Sequence, residues 1–198
     1  MSHYYSVEPS GKSKIFEISV VIRGFKITLI SASGTFSSKR VDPGTKLLAE
    51  SMVIKDRWRV LDLGCGYGVL GIIAAKMAPH GEVFMVDINK KAVKLAKINS
   101  ELNNVRNVKV LWGDLFEPID DLFFDAIISN PPQAAGRRIL EKIVTESYRH
   151  LNDNGLLQLV AKHRKGGSSL SKMMEKCFGN VNVLARKSGY RVYVSIKK

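Results

Sequence analysis

Hydrophobic positions along the chain change rhythm near residue 58. Before it, Ile15-Phe-Glu-Ile-Ser-Val-Val-Ile22 and Phe25-Lys-Ile-Thr-Leu-Ile30 are β-rich runs with partial alternation, separated by Arg23-Gly24. Two such runs around a glycine turn predict a β-hairpin. A loop of small residues, Ser31–Ser38, follows, and Asp42-Pro43-Gly44-Thr45 then leads into a helix expected from Thr45 to about Val53. Either Asp42 or Thr45 is placed to cap it. After residue 58, short apolar runs alternate with helical stretches. Strands are expected over Arg59–Leu63, Glu82–Asp87, Val108–Trp112, Phe124–Ser129, Leu156–Ala161, Val181–Ala185 and Tyr190–Ile196. Helices are expected over Gly68–Met77, Lys90–Asn103, Arg138–Leu151 and Ser168–Phe178. Strand alternating with helix predicts a parallel sheet covered on both faces. Only Arg186-Lys-Ser-Gly189 separates the last two strands, so they should pair as an antiparallel hairpin. The expected class is α/β, with a Rossmann-like seven-stranded sheet, a terminal antiparallel hairpin and a small N-terminal β-hairpin. Residues 1–198 read as a single domain. Residues 15–53 are its N-terminal hairpin and helix extension, packed on the flank of the sheet.

Composition narrows this picture. The chain has 198 residues, 45% of them apolar, which suffices for one real core and not for two enzyme-sized domains. Lys and Arg number 31 against 18 Asp and Glu, a net charge of +13. An excess of this size repels itself and points to a polyanionic partner, most commonly nucleic acid, with an anionic membrane surface as the alternative. The charge is also uneven. Residues 161–198 hold ten bases and the single acid Glu175, whereas residues 101–160 hold six bases and nine acids. Cys65 and Cys177 lie far apart and no His or Cys cluster accompanies them, which argues against a disulfide scaffold and a zinc site. No apolar run has the length of a membrane span, and the start, MSHYYSVEPSGKSK, lacks a signal-peptide core. The expectation is a reduced, cytoplasmic protein with no metal.

Chemistry is concentrated at strand ends. Val60-Leu-Asp62-Leu-Gly64-Cys-Gly66-Tyr-Gly68-Val-Leu-Gly71 runs from a strand into a helix. Its glycines permit a tight turn and close approach of a ligand to the main chain. A dinucleotide-binding loop has the spacing G-x-G-x-x-G, and Gly71 leaves that reading open by glycine alone. The acid at the head of the loop tips the balance, because Asp62 would repel a pyrophosphate and attract a cationic amino-acid moiety. Asp87 ends the next apolar strand, 19 residues after Gly68, where an acid accepts hydrogen bonds from ribose hydroxyls. It could also serve as N-cap of the following helix, the lesser reading. Asp114, just past the third strand, could accept from an adenine amino group, with Leu115 or Trp112 on the ring. A turn aspartate would look the same. Finally, Phe124–Ser129 runs straight into Asn130-Pro131-Pro132-Gln133. The prolines stop the ladder and hold the backbone extended. Asn130 and the Pro131 carbonyl could then aim acceptors at one planar NH₂ group, where positive charge develops as the nitrogen is alkylated.

Together these residues resemble the class I S-adenosylmethionine-dependent methyltransferases, and within them the N-methylating branch marked by Asn-Pro-Pro-aromatic. Gly34-Thr-Phe36-Ser37-Ser-Lys-Arg-Val-Asp42-x-Gly44-Thr45-x-Leu-Leu looks like the lead-in of the small methyltransferase domain of small-subunit ribosomal RNA guanine-N2 methyltransferases. The resemblance runs from about residue 15 to the end. It is to the short stand-alone form typical of archaea, whereas bacterial members carry a further N-terminal domain. It implies S-adenosylmethionine held by Asp62, Gly64, Gly66, Gly68, Asp87, Ile88, Asp114, Leu115 and Asn130. It also implies catalysis at Asn130, Pro131 and Pro132. One position departs from the pattern: Gln133 stands where the branch has an aromatic ring. Phe36 could supply a stacking surface instead, and Gln133 a hydrogen bond to a base edge.

The reading is methyl transfer to an exocyclic amino group of a guanine in ribosomal RNA. Phe36, Gln133, Arg137, Arg138, Lys162, Arg164 and Lys165 are the candidate substrate contacts, and Lys172, Lys176 and Arg186 could extend the basic track. A base inside a duplex is out of reach, so the target must be looped or flipped. Alternative acceptors are a guanine of tRNA and a glutamine side-chain amide of a protein, which is also a planar NH₂ donor. A nucleic-acid-binding module with a vestigial cofactor pocket is a further class, and the intact Asp62, Gly64, Gly66, Gly68, Asp87 and Asn130 argue against it.

Overall fold

The structure, a computed structural model, describes residues 14–34, 37, 39–132 and 136–198. Strands β1 (Ile15–Ile22) and β2 (Phe25–Ala32) pair as an antiparallel hairpin. Helix α1 (Pro43–Ser51) leads into β3 (Arg59–Leu63), α2 (Val69–Met77), β4 (Glu82–Asp87), α3 (Lys90–Leu102) and β5 (Val108–Trp112). Then follow β6 (Phe124–Ser129), α4 (Arg137–His150), β7 (Leu151–Lys162), α5 (Ser168–Phe178), β8 (Asn182–Lys187) and β9 (Tyr190–Ile196). The seven-stranded sheet has the order β5-β4-β3-β6-β7-β9-β8. Strands β3 to β7 run parallel to one another, and β9 pairs antiparallel with both β7 and β8. The strand order turns at β3, so a crevice opens beyond the carboxyl ends of β3 and β6, the usual ligand position in such sheets.

The apolar runs of the central strands β3, β4 and β6 are nearly continuous because each feeds two cores. Val60, Val83, Met85, Ala126 and Ile128 face α1, α2 and α3. Their chain neighbours Leu61, Phe84, Val86 and Ile127 join the other core with α4 and α5. Alternate residues serve opposite faces, and neither face is left to water. No helix among the described residues is long and apolar enough to cross a membrane.

Two expectations need correction. The N-terminal hairpin does not lie on the sheet itself. It lies over the helix layer, with Ile18, Ile22, Ile27 and Leu29 in the same core as α1–α3. Asn99 on α3 and Asn103 at its C-cap, one turn apart, bond the outer edge of β2. Asn99 Oδ1 accepts from Ile30 N at 2.7 Å and its Nδ2 donates to Ile30 O at 2.9 Å. Asn103 does the same for Thr28, at 3.1 and 2.7 Å. Two amides thus replace a neighbouring strand and blunt an open edge. Second, β7 begins at Leu151 rather than Leu156. Its register against β6 jumps from Phe124↔Leu151 to Ala126↔Leu156, with Asn154 left-handed at φ 64°. The polar run Asn152-Asp153-Asn154 disguised this irregular start.

Candidate active site

The loop after β3 is held by backbone donors. Gly64 N and Cys65 N both donate to Val86 O, at 2.8 and 3.0 Å. Gly66 N donates to Asp87 Oδ2 at 2.8 Å, and Asn89 N to Asp87 Oδ1 at 2.8 Å. Gly64 and Gly66 have φ of 72° and 56°, and a Cβ built on either would meet nothing within 4 Å. The loop is therefore a cradle whose space side chains would fill. Asn89, not Asp87, caps α3, accepting from Lys91 N and Ala92 N. Asp87 instead joins the glycine loop to the end of β4. Burial raises its pKa, although both backbone N–H groups oppose the rise.

Asp62 lies beneath this cradle, fully buried. Its Oδ2 accepts from Gly71 N at 2.8 Å, while Oδ1 has no hydrogen-bond partner among the described residues. Gly71 makes the approach possible: a Cβ there would overlap the Met85 side chain. Burial pushes the Asp62 carboxyl up to about 7; the Gly71 N–H opposes this and the nearby Asp87 charge adds to it. A buried acceptor without a partner is costly, and a cationic group would satisfy it. The orphaned oxygen and the glycine cradle fit the amino-acid end of S-adenosylmethionine.

Further along the same edge, Trp112 Nε1 donates to Ile88 O at 2.8 Å, and Lys90 Nζ stands 4.5 Å from the Trp112 ring centroid. Ile88 and Trp112 are both exposed, which leaves apolar surface where a planar base can lie. Asp114 is half-buried, with Lys142 Nζ at 4.0 Å. Leu115 follows at φ 52° and packs toward the α4 core.

Asn130 lies directly after β6, where Ser129 Oγ donates to Leu63 O at 2.6 Å and ties the two strand ends together. Its Nδ2 donates to Asp42 Oδ1 at 3.0 Å and to Thr45 Oγ1 at 2.8 Å. Asp42 is the N-cap of α1, accepting from Gly44 N and Thr45 N at 2.8 and 3.0 Å, and Tyr190 OH reaches its other oxygen at 3.5 Å. A carboxylate can only accept, so it fixes which end of the amide faces it. Asn130 Oδ1 is turned away from Asp42, with no partner among the described residues. Sequence reasoning named Asp42 and Thr45 as rival caps. The structure gives the cap to Asp42 and joins both to Asn130. No local spacing reveals that pairing, which spans 88 and 85 residues.

A cleft of about 210 Å³ opens beside Asn130, Pro131 and Pro132. Lys162, Lys165 and Tyr190 line it, against an apolar wall that includes Leu170 and Met173. Arg137 also reaches it, although its Nε pairs with Glu141 Oε1 at 2.9 Å. Arg138 and Arg164 are exposed and do not line the cleft, so two of the expected contacts are not brought to it. Phe36 and Gln133 lie outside the described residues. Neighbouring His163 contacts Tyr193 OH through Nδ1 at 2.8 Å, and desolvation, then Arg191, Arg164 and Arg186, lowers its pKa. Tyr67, overlooked in the sequence, bridges the two halves. Its hydroxyl donates to Ser37 O and Arg40 O at 3.4 and 3.5 Å, and burial, with Asp42 adding, pushes its pKa to about 12.

Comparison with known proteins gives the family. The methyltransferase small domain family matches residues 26–194. The chain is 37% identical to the uncharacterized protein YbxB of Bacillus subtilis, over 96% of both. It is 34% identical to ribosomal RNA small subunit methyltransferase C of Haemophilus influenzae, over 84% of this chain and 50% of that one. Among solved structures it is similar to the 16S rRNA N2 G1207 methyltransferase RsmC of T. thermophilus in complex with AdoMet and guanosine. The TM-score is 0.82 and the identity 26%, over 96% of this chain and 52% of that one. The chain thus spans about half the length of the ribosomal RNA methyltransferases it matches. It belongs to the methyltransferase small domain family and is an S-adenosylmethionine-dependent methyltransferase.

Proposed function

We propose that the chain methylates the exocyclic N2 amino group of a guanine in ribosomal RNA, in the cytoplasm. The observation that carries this reading is the orientation of Asn130. Asp42 and Thr45 hold its amide nitrogen, so its carbonyl oxygen is offered to an incoming N–H. When bound, the cofactor would supply an electrophilic methyl group, its S–CH₃ bond breaking so that the sulfonium leaves as a neutral thioether. Asp62, Gly64, Gly66 and Asp87 would hold it, with Ile88, Asp114 and Leu115 around its base. Asn130 Oδ1, with the Pro131 carbonyl beside it, accepts from the target amino group and positions the nitrogen lone pair for in-line attack. As the new N–C bond forms, positive charge grows on that nitrogen, and the preset acceptor stabilises it. The extra proton then leaves to solvent. No His or Cys is required.

RNA is favoured over a protein amide by the cleft itself, which carries Lys162 and Lys165 beside Asn130. The net charge of +13 supports the same choice. The similarity to ribosomal RNA methyltransferases supports the ribosomal target over tRNA. The test is labelled methyl transfer to small-subunit ribosomal RNA, tRNA and a glutamine-bearing protein substrate, run side by side. Methylation of the ribosomal RNA alone, recovered as N2-methylguanine, is expected. Label appearing only on protein would overturn the reading.

A further inference from the structure

We propose that Lys162 is the residue that selects guanine, by donating to the O6/N7 edge of the target base; this rests on the guanine reading above. Asn130 and Lys162 line one cleft, and Tyr190 connects them. The Tyr190 hydroxyl reaches Asp42, the carboxylate that orients Asn130, at 3.5 Å. Lys162 Nζ stands 5.2 Å from the centroid of the same ring. Lys162 and Tyr190 are cross-strand partners at the end of β7, three residues beyond the Leu159 that pairs with Ser129. Chain geometry therefore carries Lys162 past the sheet edge, to the level of Asn130-Pro131-Pro132. The adjoining backbone is pinned, since His163 N donates to Gly189 O at 2.9 Å.

Charge in the cleft singles out this lysine. Arg137 is engaged by Glu141, and Lys165 is exposed. Lys162 is partly buried and has no acidic partner among the described residues, while Leu170 and Met173 supply an apolar wall. A cation there can take an acceptor that arrives with the substrate. Guanine presents its N2 amino group on one edge and the O6 and N7 acceptors on the opposite edge, a pair that lysine recognises. With N2 at Asn130, the O6/N7 edge turns across the cleft toward Lys162. Adenine offers an amino group at the position of O6, which a lysine ammonium repels.

The experiment compares kcat/KM for short RNA substrates carrying guanine or 2-aminopurine at the methylated position. 2-Aminopurine keeps the N2 amino group and N7 but lacks O6. The wild type should prefer guanine by roughly tenfold to a hundredfold, the range for one good contact to a base edge. Lys162→Met should bring the ratio close to one, and Lys162→Arg should keep most of it. Cofactor affinity, measured in parallel, should be unchanged, which shows that the variants are folded. A phosphate contact would behave differently. It would slow both substrates equally and flatten the salt dependence, leaving the ratio intact. An unchanged ratio in Lys162→Met, with guanine still methylated, overturns the role of Lys162 and leaves the guanine reading standing. If the wild type methylates neither RNA but does methylate a protein amide, both fall together.

Discussion

The glycine loop and the Asn130 cleft share one sheet edge and are built in opposite ways. The loop shapes its space by omission. Gly64 and Gly66 leave a void, backbone N–H groups secure the turn, and Asp62 is buried with one oxygen unpartnered. The cleft is shaped by side chains from four distant segments: Asp42 and Thr45, Asn130, Lys162, and Tyr190. There every polar group that orients Asn130 is paired, and only the acceptor oxygen is left over. The difference suits the two tasks. A cation is drawn to a buried carboxylate that lacks a partner. A transition state with charge developing on one nitrogen needs a dipole that cannot rotate away.

If the loop works by omission, filling it should be the most damaging change. Gly66→Val should weaken cofactor binding by roughly a hundredfold or more, from about 1–2 kcal/mol of left-handed strain and a clash of at least similar size. Calorimetry would show it, and near-normal affinity would mean that the cradle holds nothing.

The buried charge makes a second, smaller prediction. Asp62 titrates at about 7 in the folded chain, above its ordinary 3.8. Binding a cationic ligand requires the ionised form, so cofactor affinity should fall by up to about tenfold per pH unit below 7. Asp62→Asn should bind weakly and without this slope. Folding runs the other way. A raised carboxyl pKa destabilises the fold as pH rises from about 4 to 7, because the folded state favours the protonated acid. At pH 8 the ligand-free Asn variant should therefore melt several degrees above the wild type, and below pH 4 it should show no such gain. A melting difference independent of pH would contradict the buried charge.

The cleft is tested more gently at Asp42. Asp42→Ala removes the α1 cap, costing about 1 kcal/mol, or about 2–4 °C in Tm. It also releases the Asn130 amide, and turnover should fall roughly tenfold, the worth of one hydrogen bond to a charged group. Cofactor affinity should hold. A stability loss without a turnover loss would reduce Asp42 to a helix cap.

The two regions also differ in how far the sequence discloses them. Asp62, Gly64, Gly66 and Asp87 are legible because strand, turn and helix follow one another, and the motif's spacing is its geometry. The strands Arg59–Leu63, Glu82–Asp87, Phe124–Ser129 and Tyr190–Ile196 are readable to the residue for a related reason, since most of their residues are buried on both faces; the partly exposed edge strand Val108–Trp112 is marked instead by its β-branched and aromatic residues. The Asn130 support was not readable. Asp42 caps a helix in the lead-in, and its second partner appears only when β6 is brought alongside. Tyr190 and Lys162 meet through antiparallel pairing across 28 residues. The seat of the N-terminal hairpin was hidden likewise, because Asn99 and Asn103 look like ordinary polar helix positions until β2 lies against them. Of the basic residues the sequence offers, Arg137, Lys162 and Lys165 line the cleft, whereas Arg138 and Arg164 are exposed beside it, a sorting that only the folded backbone makes.

Single-turnover methyl transfer by Asn130→Ala, with cofactor affinity measured on the same preparation, tests the central claim most directly. In the proposed mechanism Asn130 Oδ1 is held ready for charge that exists only as the methyl group moves, so its loss should raise the barrier far more than it weakens binding. The predicted result is a rate lower by roughly a hundredfold or more, the scale for losing one preset group at a developing charge, with cofactor affinity near that of the wild type. A rate equal to the wild type would make Asn130-Pro131-Pro132 only a strand-terminating turn and would contradict the account.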